Sequence, residues 1–229
     1  MIKLVAFDWN GTILSDTNAV VRAESATRLH FGLQATNLKE FQDQYDIPIK
    51  TYWIKAGFDP KVFNAKSHEI HLVFQKHYEP REAFCRTRSG TRGILAWLRS
   101  QKIKSIIFSN HIVPHIQKQA RRLHIDGYFD GILARSSIAD SSHMTAQGKA
   151  EKLRRYVQGL RLRPREVLTV GDTTEEIEIG RKFGYTTVAL TQGYQSTARL
   201  KAAKPDFLIH NLKELKTIIW KNFSEKLKV

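Results

Sequence analysis

Residues 1–16 read MIKLVAFDWNGTILSD, and this stretch decides the fold. The apolar run from Ile2 to Phe7 is rich in Ile, Leu and Val and too short for a helix, so it is predicted as a buried strand over 2–8. It stops at a carboxylate, Asp8, and a turn signal follows in Asn10-Gly11-Thr12. Residues 9–17 read as loop.

Beyond that loop the periodicity changes. From Thr17 to about Tyr78 the pattern is helical: one helix over 18–31 ended by Gly32, short helices near 37–45 and 48–57, and a longer one over 60–78 that stops before Pro80. No strand pattern interrupts it, so this is predicted as a helical insertion. After Ser89-Gly90, helices and strands alternate. Helices are predicted at 91–100, 112–123, 148–159, 173–183, 196–203 and from Asn211. Strands are predicted at 103–108, 131–134, 167–170, 186–190 and 207–209, with a polar, Ser-rich loop over 135–147. Strands alternating with helices imply an α/β core with a parallel sheet covered on both faces.

The bulk composition sets limits. A hydrophobic content of 41% over 229 residues supports a real core. The single cysteine, Cys85, allows no intrachain disulfide and fits a reduced, cytoplasmic setting. Met1-Ile-Lys-Leu runs straight into the first strand, leaving no room for a signal peptide, and no apolar run suggests a membrane span. The net charge of +15 is uneven: residues 1–86 carry 11 Lys/Arg against 10 Asp/Glu, residues 87–229 carry 26 against 12. Basic residues crowd 149–165. That crowd reads as a solvated helix face, or as attraction for an anionic substrate or nucleic acid. Tyr156 is the one aromatic residue within it, which lacks the stacking pattern of a single-strand binder.

In parallel sheets ligands sit at the carboxyl ends of the strands. The residues there are Asp8, then Ser109-Asn110-His111, then Gly171-Asp172 with Glu175 and Glu176, while Lys149 opens a helix. Alone, each has a plain reading: a turn, an N-cap, a charge at a helix N-terminus, a surface lysine. In this order, each at a strand end or helix start, they form a far more specific set.

That set resembles the haloacid dehalogenase-like hydrolase superfamily, most of whose members are magnesium-dependent phosphatases, and its layout is similar to the phosphoglycolate-phosphatase-like members. The resemblance rests on Asp8-Trp9-Asn10-Gly11-Thr12, on Ser109-Asn110, on Lys149 in GKAEKL, and on the stretch from Val170 through Gly171, Asp172 and Glu176. It implies a Rossmann-like three-layer core over 1–16 and 87–229 and an inserted all-helical cap over 17–86. It implies Asp8 as nucleophile, forming an aspartyl-phosphate on a small phosphorylated substrate. It implies Mg²⁺ on Asp8, Asp172 and the Asn10 backbone carbonyl, with Glu176 and Gly171 in support. Thr12, Ser109, Asn110 and Lys149 would hold the phosphate.

Asn10 departs from the pattern. The phosphatases of the superfamily carry Asp there, as the acid that protonates the leaving group, and losing such a group costs about 10²–10⁴-fold. Several readings stay open. The substrate has a good leaving group, such as an acyl or anhydride phosphate; or Asp16, His111 or a cap residue such as His30 carries the proton. Alternatively, catalysis is weakened and the fold binds a phosphorylated ligand, nucleic acid or protein partner; or Asn10-Gly11 deamidates. Elsewhere, His68 and His71 read as an exposed helix face, Trp53, Phe58, Phe63 and Phe74 as cap packing, Arg22 as solvent-facing, and Cys85 as inert. Oligomeric state is open.

Overall fold

The computed structural model describes residues 1–136 and 146–224. Most of the predicted Ser-rich loop lies outside the described residues.

Six strands form one parallel sheet. They are β1 (Leu4–Phe7), β4 (Lys104–Ile112), β5 (Gly131–Arg135), β6 (Val167–Gly171), β7 (Thr186–Leu190) and β8 (Phe207–Ile209), in the order β5-β4-β1-β6-β7-β8. The central β1, LVAF, is buried at every position. Its alternating side chains explain why. Val5 and Phe7 point into a cluster with Ile94, Leu98, Ile116 and Leu215, whereas Leu4 and Ala6 point into a second cluster with Ala150, Leu153, Val157 and Ile179. The first set comes from α5 (Thr91–Ser100), α6 (Val113–Arg122) and α10 (Leu215–Ser224). The second comes from α7 (Ala146–Gly159) and α8 (Thr174–Phe183). Helix, sheet and helix therefore make three layers, the Rossmann-like architecture predicted from the alternation. A short helix α9 (Thr197–Ala202) places Leu200 against Ile177 and Ala189.

The helical insertion comprises α1 (Thr17–His30), α2 (Leu38–Gln44), α3 (Ile49–Lys55) and α4 (Pro60–Glu82). It has its own core, in which Val20, Phe41, Tyr52, Trp53, Phe58, Phe63, Ile70 and Tyr78 meet Tyr194 from the loop after β7. Two short strands that the sequence did not signal, β2 (Leu14–Ser15) and β3 (Arg86–Thr87), pair antiparallel where the chain leaves and re-enters the sheet domain. At two residues each they are too short for an alternation to register.

Two boundaries differ from expectation. α4 runs through Pro80 to Glu82 instead of stopping before it. Pro80 lies in the last turn, so the missing N–H removes one terminal hydrogen bond rather than an interior ladder. β4 continues past Phe108 to Ile112, and its pairing with β5 shifts register between those two residues. The irregularity falls at Ser109, Asn110 and His111, where a sheet edge opens toward the site.

Candidate active site

Asp8 and Asp172 follow neighbouring parallel strands. Phe7 pairs with Val170, and the Asp8 amide donates to the Val170 carbonyl at 2.9 Å. Both carboxyl groups are buried. The loop after β1 reaches Asp172 closely: Thr12 Oγ1 donates to Asp172 Oδ1 at 2.6 Å, and the Tyr194 amide donates to Oδ2 at 2.6 Å. Gly11 makes this possible. Its φ of +74° is left-handed, and a side-chain carbon there would overlap the Asp172 carboxylate. Gly171 plays the same part for Glu176, whose side chain occupies the space a Cβ would take.

Lys149 stands in the first turn of α7 with its side chain 2% exposed. Its ammonium donates to Asp8 Oδ1 at 2.9 Å, to Glu175 Oε2 at 2.9 Å and to Glu176 Oε1, and lies 4.7 Å from the Phe108 ring centroid. Three carboxylates therefore share one buried cation, and Asp172 adds a fourth acid beside them. Burial alone would lower the Lys149 pKa, but Asp8, Glu175 and Glu176 hold it well above its ordinary value, so it stays charged. The acids pay in the opposite direction. Burial raises Asp8 well above the usual carboxylate range, Lys149 opposes this, and the charges of Glu176 and Asp172 push it further up. Burial and the charge of Glu176 push Asp172 up to about 7. Glu175 is likewise raised by burial.

The irregular end of β4 supplies the opposite wall. Ser109 is buried, and its Oγ accepts from the His111 amide at 3.2 Å, which leaves the hydroxyl proton available to an oxygen ligand. Asn110 Nδ2 donates to both oxygens of Glu175, at 3.1 and 2.9 Å. His111 Nε2 is buried without a hydrogen bond and faces Glu82 Oε1 at 3.8 Å.

The amide at position 10 has a specific partner. Asn10 Nδ2 donates to Asp16 Oδ2 at 2.7 Å and to the Tyr78 hydroxyl at 3.1 Å. Asp16 is fully buried, and it also accepts from the Gly11 amide at 2.8 Å, the Tyr78 hydroxyl at 2.7 Å and the Tyr194 hydroxyl at 2.8 Å. One carboxylate thus gathers four donors from the β1 loop, from α4 and from the loop after β7. Burial raises its pKa, and the hydrogen bonds from Asn10, Tyr78 and Tyr194 pull the other way. Both amide protons of Asn10 are spent, so the side chain offers the cavity an acceptor oxygen and no acid.

A cavity of about 210 Å³ opens on these groups. Asp8, Asn10, Ser109, His111, Lys149 and Glu175 form its inner end; Val20, Glu24, Ile47, Ile49, Phe74 and Gln75 from the helical insertion close the other.

The structure brings Asp8, Asn10, Ser109, Asn110, Lys149, Glu176 and Gly171 together, with Asp172 directly behind. Three side chains with predicted ligand roles have protein partners in this structure. Thr12 is fully buried against Asp172 instead of reaching the phosphate position, because its hydroxyl is spent on that carboxylate. Asn110 spends its amide protons on Glu175 rather than on a ligand. Glu176 pairs with Lys149 and with Thr173 Oγ1, at 2.6 Å for the latter, so it positions the lysine. Of the three alternative proton carriers, Asp16 is buried and saturated, His30 is exposed, and His111 lines the cavity. Arg22 is exposed, as expected. Phe74 lines the cavity and stacks on Tyr78 at 5.4 Å, while Trp53, Phe58 and Phe63 are buried in the cap core. The sequence reading placed Glu175 at the strand end without giving it a role, and missed Tyr78, Tyr194 and the depth of Asp16. For Glu175 a signal existed: it stands beside Glu176 in the first turn of α8.

Within the crowded basic stretch Lys149 is internal, and Arg154 and Arg155 pair with Glu151 while Arg163 pairs with Glu166. Among the described residues no helix is long and apolar enough to cross a membrane.

A family model for haloacid dehalogenase-like hydrolases matches residues 2–184. The chain is 23% identical to a phosphoglycolate phosphatase of Synechococcus elongatus, an alignment covering 93% of this chain and 95% of the relative. It is also 23% identical to the pyrophosphatase PpaX of Oceanobacillus iheyensis, covering 97% and 99%. A haloacid dehalogenase-like hydrolase from Streptococcus pneumoniae shares the fold with a TM-score of 0.77 at 20% identity, over 95% of this chain and 98% of that one. The chain belongs to the haloacid dehalogenase-like hydrolase family. It is a hydrolase of the phosphatase type.

Proposed function

We propose that the protein is a Mg²⁺-dependent phosphatase that transfers the phosphoryl group of a small substrate to Asp8 and then to water. Its cap spans residues 17–86 over a core of 1–16 and 87–229. The observation that carries this reading is the Lys149 ammonium holding Asp8, Glu175 and Glu176 at the inner end of the cavity. That arrangement orients one oxygen of Asp8 and leaves Asp8 beside an ammonium able to neutralise an incoming phosphate.

The residues fit a hard divalent cation. Three buried acids hold one ammonium with Asp172 beside them, and Asp8 and Asp172 are raised first by burial and then by the neighbouring carboxylates. Among the described residues no three His, Cys, Asp or Glu side chains form a ligand cluster on their own. The set proposed here is therefore two carboxylates, Asp8 and Asp172, with the Asn10 backbone carbonyl, all oxygen donors of the kind Mg²⁺ takes. A bound Mg²⁺ would supply charge neutralisation on the phosphate oxygens.

Asp8 attacks phosphorus, the bond to the leaving oxygen breaks, and an aspartyl-phosphate forms. Ser109 donates to a phosphate oxygen. Water then attacks the phosphoryl group and releases Asp8. Asn10 gives and takes no proton at either step; its free oxygen accepts a hydrogen bond from the attacking water and orients it. Leaving groups that need little protonation suit this site, which agrees with the pyrophosphatase named among the relatives. For poorer leaving groups His111 is the group placed to give a proton. A cytoplasmic setting accords with the half-buried thiol of Cys85.

Phosphate release from an aryl phosphate tests the reading. Turnover requires Mg²⁺ and is lost in Asp8→Asn. Turnover that survives Asp8→Asn or metal chelation contradicts it.

A further inference from the structure

The outer end of the cavity contains one acid that the chemistry above does not use. Glu24 lies on α1, lines the cavity and is 2% exposed. Its Oε2 is buried with no hydrogen-bond partner. The Tyr52 hydroxyl and the Arg28 guanidinium neighbour this carboxyl and stabilise its charged form, though neither makes a well-formed hydrogen bond to it. Arg28 does not line the cavity, and its Nη2 is held by Glu40 at 3.1 Å. A buried carboxyl oxygen without a well-formed hydrogen bond is costly, and a ligand donor would relieve that cost.

The rest of this end is apolar or neutral: Val20, Ile47, Ile49, Phe74 and Gln75. Lys149 is the one Lys or Arg among the described lining residues, and it is already shared by three carboxylates. The sequence of 137–145 contains no Lys or Arg either. A substrate with a second anionic group would carry it toward the Glu24 carboxyl, and no Lys or Arg among the described residues lines this end to receive it. A substrate with a donor there would meet the Glu24 carboxyl.

We propose that Glu24 is the specificity residue of this enzyme, reading a hydrogen-bond-donating group, ammonium or hydroxyl, on the far side of an apolar leaving group, and rejecting a carboxylate. The inference rests on the phosphatase reading above. It sets this chain apart from relatives named for phosphoglycolate, whose leaving group carries a carboxylate.

Four para-substituted phenyl phosphates test it with nearly constant leaving-group acidity: 2-aminoethyl, 2-hydroxyethyl, ethyl and carboxymethyl. The wild-type enzyme should favour a donor-bearing ester over the carboxymethyl ester at least tenfold in kcat/KM. Glu24→Leu should collapse that ratio. Glu24→Gln separates the two donors, because the amide keeps an acceptor oxygen but no charge: an ammonium preference falls, a hydroxyl preference stays. Equal loss on all four esters in Glu24→Leu, or the carboxymethyl ester as the best substrate, overturns the proposal. Calorimetric binding of the same four esters needs no turnover. If none is hydrolysed but the donor-bearing esters bind more tightly, the phosphatase reading fails and Glu24 keeps its role. If the carboxymethyl ester binds best, or none binds, Glu24 does not.

Discussion

Asn10 donates its amide to the buried carboxylate of Asp16 across 2.7 Å. This contact gives a physical reason for an amide at a position where the family resemblance implies an acid. An aspartate at position 10 would set a carboxylate at hydrogen-bond distance from the buried carboxylate of Asp16, and the two could share only one proton.

Asn10→Asp should therefore destabilise the fold, by about 2–4 kcal/mol, through like-charge contact and the loss of two donors. The double variant Asn10→Asp, Asp16→Asn restores one carboxylate and one amide to the pair and should recover much of that loss. Denaturant unfolding of the three variants reads the coupling. Additive effects would show that the two side chains do not depend on each other.

His111 should matter in proportion to the difficulty of the leaving group. It lines the cavity, and its buried Nε2 makes no hydrogen bond and faces Glu82. His111→Asn should lower kcat for alkyl phosphates by about 10²-fold and change p-nitrophenyl phosphate turnover little. Equal loss on both substrates would assign His111 a structural part.

Lys149→Met removes the cation from three buried carboxylates. Activity should fall by about 10²–10³-fold. Stability near neutral pH should fall by about 3–5 kcal/mol, since the charges left behind are uncompensated. The loss of stability should shrink toward acid pH, where the carboxyl groups protonate. A flat difference between pH 5 and pH 8 would contradict the charge assignment.

The fold was legible because β1 is apolar at every position, which a strand needs only when both faces are covered. The placement of Asp8, Ser109, Lys149 and Asp172 at strand ends and a helix start followed from the same pattern. What the sequence could not display was partner choice. Thr12, Asn110 and Glu176 are of the right type to serve a phosphate or a metal-bound water, yet each is consumed by a neighbour that only the folded chain supplies: Asp172, Glu175 and Lys149. Asp16, Tyr78 and Tyr194 lie far apart along the chain, and no local periodicity announces that they meet.

Burial raises the Glu24 carboxyl well above its ordinary 4.5, against the pull of Tyr52 and Arg28. A carboxyl raised in the folded state contributes stability that is fully present below its unfolded pKa and is lost as pH rises through the folded one. Thermal melts from about pH 4.5 to about pH 8 should therefore show wild type losing more stability than Glu24→Gln. Parallel curves would mean that Glu24 titrates normally.

Cys85 should be a slow thiol. Burial first, then the charges of Asp16 and Glu82, push it up to about 11. At pH 8 its thiolate fraction is about 100-fold lower than that of an unhindered cysteine of pKa 9, so iodoacetamide should label the native protein correspondingly slowly. Rapid labelling at pH 8 would refute this.

Borohydride trapping during turnover of an aryl phosphate in Mg²⁺ is the most direct measurement of where the phosphoryl group rests. Reduction of an acyl phosphate on Asp8 should leave homoserine at position 8, found by peptide mass spectrometry and absent without substrate. Steady phosphate release with Asp8 unmodified, or homoserine appearing at another acidic residue, would contradict Asp8 as the nucleophile.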